Sequence, residues 1–258
     1  MDHDDHLDLE ASISEQEVDY LLKAFNSQFP NNELKHSDVL SAWACVRPVI
    51  GAEKSKDPSK ERRDHAVWSD NGLITVSGGK LTTFRLIALD ALAAAKDNLP
   101  TAKEFVDDRV FSTPKMSAQS LAPENHSWGQ RLLGRYGEKA LDLANESSLE
   151  DQQNLGDTEF SLAECKWAVQ HEAVEHLDDL LLRRTRLGMC LPNGGITLYP
   201  ALKDIFSTNR SWDDERWQKE VNRYEKIWKN HYSLPTTSGF CNKSSPLPAI
   251  AVCPDTKT

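Results

Sequence analysis

The five cysteines of this 258-residue chain, Cys45, Cys165, Cys190, Cys241 and Cys253, are odd in number and form no C-x-x-C. That spacing argues against a disulfide framework or a paired-thiol metal site, and they read as reduced thiols of an intracellular protein. No apolar run approaches the ~20 residues that a membrane-spanning helix needs. The opening Met1-Asp2-His3-Asp4-Asp5-His6 is too acidic for a signal or transit peptide. A cytoplasmic protein is expected, with any membrane contact peripheral and no transmembrane segment. Positive charge is also short: 30 Lys and Arg against 40 Asp and Glu give a net charge of −10 and a pI near 5.3. Nucleic acid is therefore not an expected partner, because such binding relies on clustered Lys and Arg displacing cations from phosphates. No G-x-S-x-G occurs, so nucleophilic hydrolase chemistry has no support.

Hydrophobic residues make up 39% of the chain and charged residues 27%, enough for a buried core in one or two domains. Ser14-Glu15-Gln16-Glu17 is a capping box, followed by Val18, Leu21, Leu22 and Phe25 at helical spacing and a stop near Pro30. Val39 to Ile50 reads as a strand interrupted by Pro48. Asn71-Gly72 reads as a hairpin turn joining a strand at Ala66–Trp68 to one at Leu73–Val76, and a helix is expected from Thr82 to about Asp97. The stretch from Asn98-Leu99-Pro100 to Asn125 is a Pro-punctuated connection, beyond which strand signals nearly vanish.

Downstream, Trp128 to about Asn145 is predicted helical. The longest helix is expected from Ser161 to Met189, with Gln170 interrupting its apolar stripe. A last helix starts at Ser211-Trp212-Asp213-Asp214 and carries Trp217, Val221, Tyr224 and Trp228 on one face. The fold class is α+β. The expected domains are residues 1–100 (strands and a helix), a 101–125 linker, an all-helical 126–232 and a disordered tail at 233–258.

The chemistry concentrates where Leu73-Ile74-Thr75-Val76-Ser77 breaks at Gly78-Gly79-Lys80 and restarts as Leu81-Thr82-Thr83-Phe84-Arg85. Glycines let backbone N–H groups approach a ligand, and a helix start offers unpaired donors to an anion. A triphosphate-binding loop would need glycine at Ile74 and a hydroxyl at Leu81, and both fail. A plain strand-to-helix turn satisfies the same residues. From Arg47 to His65 the local charge is the reverse of the whole: Arg47, Lys54, Lys56, Lys60, Arg62 and Arg63 face Glu53, Asp57, Glu61 and Asp64. Residue chemistry alone makes that a solvated basic loop.

The segments Trp43-Ala44-Cys45-Val46-Arg47-Pro48, Ser59-Lys60-Glu61-Arg62-Arg63-Asp64-His65, Gly72 through Arg85, and Glu172 through Gly188 are ordered and collinear. Together they resemble the C-terminal part of FAD-dependent glycerol-3-phosphate dehydrogenases, over about Ser14 to Gly195. The resemblance implies a flavin and substrate-binding domain followed by a helical domain. It implies oxidation of glycerol 3-phosphate to dihydroxyacetone phosphate with FAD, the electrons passing to a quinone, or to oxygen in oxidase members. It places Arg47 and Lys80 as catalytic and substrate-binding cations, with Arg63 as a third substrate-binding residue. Gly78, Gly79, Lys80, Leu81 and Thr82 would lie along the flavin's pyrimidine end, where donors stabilise charge on reduction.

Two departures stand out. Cys45 occupies a position where the family usually has glycine, and no G-x-G-x-x-G occurs to cradle the ADP half of FAD. The resemblance thus implies reliance on an N-terminal FAD-binding half. The competing reading is a non-catalytic helical interaction module or gene remnant. No metal is expected, because His3 and His6 among acidic residues on a flexible terminus hold no fixed geometry. His171 and His176, five apart on a presumed helix, would point about 140° apart and share no ion. The cluster Asp178, Asp179, Arg183, Arg184 and Arg186 reads as a structural charge network.

Overall fold

The computed structural model describes residues 11–45, 65–99 and 115–235, which divide between two compact units. Arg47, Arg63, His3, His6 and the expected tail from 236 onward lie outside the described residues. Among the described residues the architecture is mostly helical with one two-stranded sheet, consistent with the α+β class.

One unit takes in residues 65–99. Strands β1 (His65–Asp70) and β2 (Leu73–Gly78) pair antiparallel, with His65 opposite Gly78 and Asp70 opposite Leu73. Asn71 and Gly72 both have positive φ, 48° and 86°. That is the primed turn whose twist matches a two-residue hairpin, so the Asn-Gly signal sets the register. The chain then passes through a tight turn, Leu81–Thr83, into helix α2 (Phe84–Ala95).

The other unit joins residues 11–44 to 115–235. Helix α1 (Glu15–Gln28), which a cut at residue 100 alone would leave with the hairpin, belongs here. Val18 is buried, and Glu17 Oε2 accepts from both the N–H (2.9 Å) and the hydroxyl (2.8 Å) of Ser14. The expected strand at Val39 does not form over the described residues to Cys45. Ala42 N–H instead donates to Tyr232 O (2.8 Å) and Ser41 Oγ to Met189 O (2.8 Å), so this backbone is held by the helical unit rather than by a strand partner.

The short α3 (Ala118–Leu121) leads into α4 (His126–Tyr136), which a positive-φ Gly137 separates from α5 (Ala140–Asn145). The single helix expected from Trp128 to Asn145 is thus two. They pack Trp128, Leu132, Ala140 and Leu143 against Ala163 and Trp167 of α6 (Leu162–His171).

The long helix expected from Ser161 to Met189 is also broken. α6 ends at His171, and Ala173 turns left-handed at φ 52°. Asp179 Oδ2 accepts from the N–H groups of Glu175 (3.1 Å) and His176 (2.9 Å), starting a π-helical segment at Asp179–Arg184. Arg184 Nε donates to the freed carbonyl of Glu172 (2.6 Å). Side-chain bonds to backbone thus replace helical ones at the break. The 140° separation assigned to His171 and His176 on one helix therefore does not apply. Arg186, at φ 58°, precedes the short α7 (Leu187–Cys190).

Helix α8 (Tyr199–Arg210), not anticipated, starts with Pro200 in its first turn, where a missing N–H costs nothing. Its Leu202, Ile205 and Phe206 recur at i, i+3 and i+4 and are buried. Asp213 caps α9 (Asp214–His231), whose Trp217, Val221 and Tyr224 complete the larger core with Leu177, Leu181, Leu187 and Phe206. Tyr224 OH donates to Gly194 O and Trp228 Nε1 to Gly188 O, each at 2.7 Å. A Cβ on Gly188 would overlap the Tyr224 hydroxyl, so that glycine permits the close approach of α9.

Candidate anion-binding junction

β2 leaves the sheet at Gly78 (φ 77°), and Gly79 (φ 87°) turns the backbone toward α2. Both values lie where side chains other than hydrogen are strained. Gly79 is also wedged: an added Cβ would overlap Ile87 Cδ1 and lie 3.3 Å from His65 Cβ. Gly79→Ala is accordingly expected to destabilise the hairpin unit by about 1–3 kcal/mol, from left-handed strain alone. Hydrogen exchange at the β1–β2 amides reads this, and unchanged protection would contradict it.

Lys80 is extended (φ −123°, ψ 150°) and heads the helical run. Its N–H donates to Thr83 Oγ1 (3.3 Å), and its carbonyl accepts from Thr83 N–H and Oγ1, both at 3.0 Å. Leu81 and Thr82 follow as the first helical residues, whose N–H groups have no intrahelical acceptor. Leu81 is 89% exposed. Among the described residues, the Lys80 ammonium has no carboxylate partner. Gly78, Gly79, Lys80, Leu81 and Thr82 thus meet at one turn, with two backbone donors and one cation that have no acceptor or carboxylate partner among the described residues, and an exposed apolar side chain. Such a turn can hold a small anion or the electron-rich edge of a planar ring.

Sequence reasoning missed a neighbouring pair: His65 Nε2 lies 2.6 Å from Asp90 Oδ2 on α2. Nothing in the 25-residue separation marks it. Cys45 is exposed.

In the helical unit, three members of the charge cluster read from the sequence, Asp178, Asp179 and Arg183, form a network joined by Arg223, while Arg184 bonds the Glu172 carbonyl instead. Buried Asp178 accepts from Arg183 and Arg223, and Arg183 also reaches Asp179 (3.2 Å). Burial pushes the Asp178 carboxyl up, but the two arginine hydrogen bonds outweigh it and hold it below the usual aspartate range. Its contribution to stability is therefore full above the unfolded-state pKa and lost as pH falls through the lowered folded value. Thermal unfolding below about pH 4 should thus lose less stability in Asp178→Asn than in the unsubstituted chain. Parallel pH profiles would contradict that.

An open cleft of about 700 Å³ is lined by Arg135, Lys139, Glu146, His171 and Glu172 among others. Lys139 pairs with Asp142 (3.2 Å) and His171 with Glu146 (3.7 Å), so much of its charge is met from within.

Residues 109–217, most of the helical unit, match the family model for the C-terminal domain of alpha-glycerophosphate oxidase. A glycerol-3-phosphate dehydrogenase of Mycobacterium leprae is 31% identical over 242 residues, covering 86% of this chain and 40% of the relative. The aerobic glycerol-3-phosphate dehydrogenase of Bacillus subtilis is 27% identical over 239 residues (83% and 43%). The human mitochondrial enzyme is 27% identical over 233 residues (83% and 32%). Residues 109–217 thus match the C-terminal domain described for alpha-glycerophosphate oxidase, and over most of its length the chain is similar to glycerol-3-phosphate dehydrogenases. It spans 32–43% of the length of these relatives.

Proposed function

We propose that this chain supplies the C-terminal part of a flavin-dependent oxidoreductase that converts glycerol 3-phosphate to dihydroxyacetone phosphate and passes the electrons to a quinone. The observation that carries the proposal is Lys80, which has no carboxylate partner among the described residues, at the positive-φ glycine turn that heads the α2 run. That turn suits one end of a flavin: two N–H groups without an acceptor among the described residues for a ring edge, and exposed Leu81 for apolar contact. When bound, the flavin supplies the two-electron acceptor. Lys80 would anchor the substrate phosphate and offset negative charge on a reduced ring, and the family resemblance adds Arg47 and Arg63 as further cations for the substrate. The Leu81 and Thr82 N–H groups would hold the ring edge. The base that takes the hydroxyl proton comes from outside these residues.

The hairpin unit also favours dependence on an N-terminal FAD-binding half. A two-stranded hairpin is marginal by itself, and Leu73, Leu81 and Leu86 are 68%, 89% and 58% exposed. No helix among the described residues is long and apolar enough to cross a membrane. We place the protein in the cytoplasm, with electron delivery to the quinone at the membrane surface. The matched family model is named for an oxidase, which makes oxygen the second acceptor to test, by peroxide release. The proposal is tested by titrating the purified chain with FAD while following its seven tryptophans and its circular dichroism. A folded chain with no tight binding is expected. Tight binding by the chain alone would contradict its dependence on another half.

A further inference from the structure

We propose that His65 and Asp90 are a positioning pair that sets the geometry of the Lys80 junction, an inference that rests on the anion-binding reading above. Three contacts converge on one turn. His65 stands opposite Gly78 in the β1–β2 register, so its backbone flanks the residue at which β2 ends. Its Cβ and the Ile87 side chain close on Gly79 from β1 and from α2. Its imidazole Nε2 then reaches Asp90 Oδ2 at 2.6 Å, and Asp90 lies three residues beyond Ile87, on the same face of α2.

The pair thus ties the strand before the junction to the helix after it, across the turn that carries Lys80. Asp90 is largely exposed while His65 is mostly covered, with side chains 60% and 21% accessible. The carboxylate therefore contributes little packing, and its evident effect is to orient the ring. A bound anion needs the Leu81 and Thr82 N–H groups and the Lys80 ammonium to converge on one point, and small displacements cost affinity steeply. Releasing α2 from β1 loosens that convergence without removing any group that touches the anion.

The test is a titration of the isotope-labelled 258-residue chain with inorganic phosphate at constant ionic strength, reading amide shifts at Gly79 to Thr82 by NMR. The unsubstituted chain is expected to show saturable shifts at Leu81 and Thr82. Asp90→Asn should weaken the binding about fivefold, the loss of one charge-assisted hydrogen bond, with an unchanged melting curve. Asp90→Glu should recover much of it, which a purely structural role at unchanged stability would not produce. Binding by Asp90→Asn equal to that of the unsubstituted chain overturns the pair's role while leaving the anion site standing. Absence of any saturable shift in the unsubstituted chain overturns the anion site itself and the pair with it.

Discussion

Glu164→Ala is expected to destabilise the helical unit by about 3 kcal/mol, the cost of removing one partner from a buried ion pair. The Glu164 side chain is fully buried. Its Oε2 accepts from Ser161 N–H (2.9 Å), Ser161 Oγ (3.2 Å) and Arg131 Nε (3.3 Å), and its Oε1 from Arg131 Nη2 (3.2 Å) and Tyr136 OH (3.4 Å). One carboxylate thus caps α6, holds α4 through Arg131 and keeps the buried Ser161 in reach of Trp128 Nε1 (2.9 Å). The lower end of the buried-pair range applies because Arg131 retains 20% of its side-chain exposure and can recover some water. Glu164→Gln keeps one accepting oxygen but sets an NH2 against the donors of the other and loses the charge, and about 1–3 kcal/mol is expected. Chemical denaturation measures both. A loss below about 0.5 kcal/mol for the alanine variant, the scale of an ordinary surface change, would mean that the network does not hold α4 to α6.

Lys80→Met is the second large effect, and it falls on chemistry rather than on stability. Lys80 is exposed and has no ion-pair partner among the described residues, so its removal should leave the melting temperature where it is. In a complete flavoenzyme containing this chain, turnover of glycerol 3-phosphate should fall about 10²-fold or more, the usual loss of a preorganised charge-stabilising donor. A rise in KM at constant kcat would assign Lys80 to the substrate phosphate alone. A fall in kcat as well would assign it to charge that develops during reduction. Unchanged kinetics would remove Lys80 from the site.

What the sequence discloses here follows the range of the forces involved. The Asn71-Gly72 hairpin, the Ser14 capping box, the α9 apolar face and the Gly78-Gly79-Lys80 junction are legible because each depends on residues within one turn of one another. The break after His171 is not legible. Its apolar residues keep helical spacing, but Asp179 and Arg184 capture backbone groups of Glu175, His176 and Glu172 and end the helix. Val39 to Cys45 reads as a strand on composition, yet its backbone bonds go to Met189 and Tyr232, far along the chain. His65–Asp90 and Glu164–Arg131 are contacts between elements that no spacing rule reaches. Within the candidate site, the glycines and lysine are legible because a strand period ends where a helix period begins. Arg47 and Arg63 rest on family resemblance and fall outside the described residues.

The most direct measurement joins this chain to the portion of the Mycobacterium leprae relative that it does not span, loads the product with FAD, and follows bleaching of the flavin absorbance on adding glycerol 3-phosphate without oxygen. Bleaching is expected with the unsubstituted chain and should slow about 10²-fold with Lys80→Met. A folded, FAD-loaded product that glycerol 3-phosphate does not bleach, or that bleaches equally fast with Lys80→Met, would contradict the role assigned to the junction.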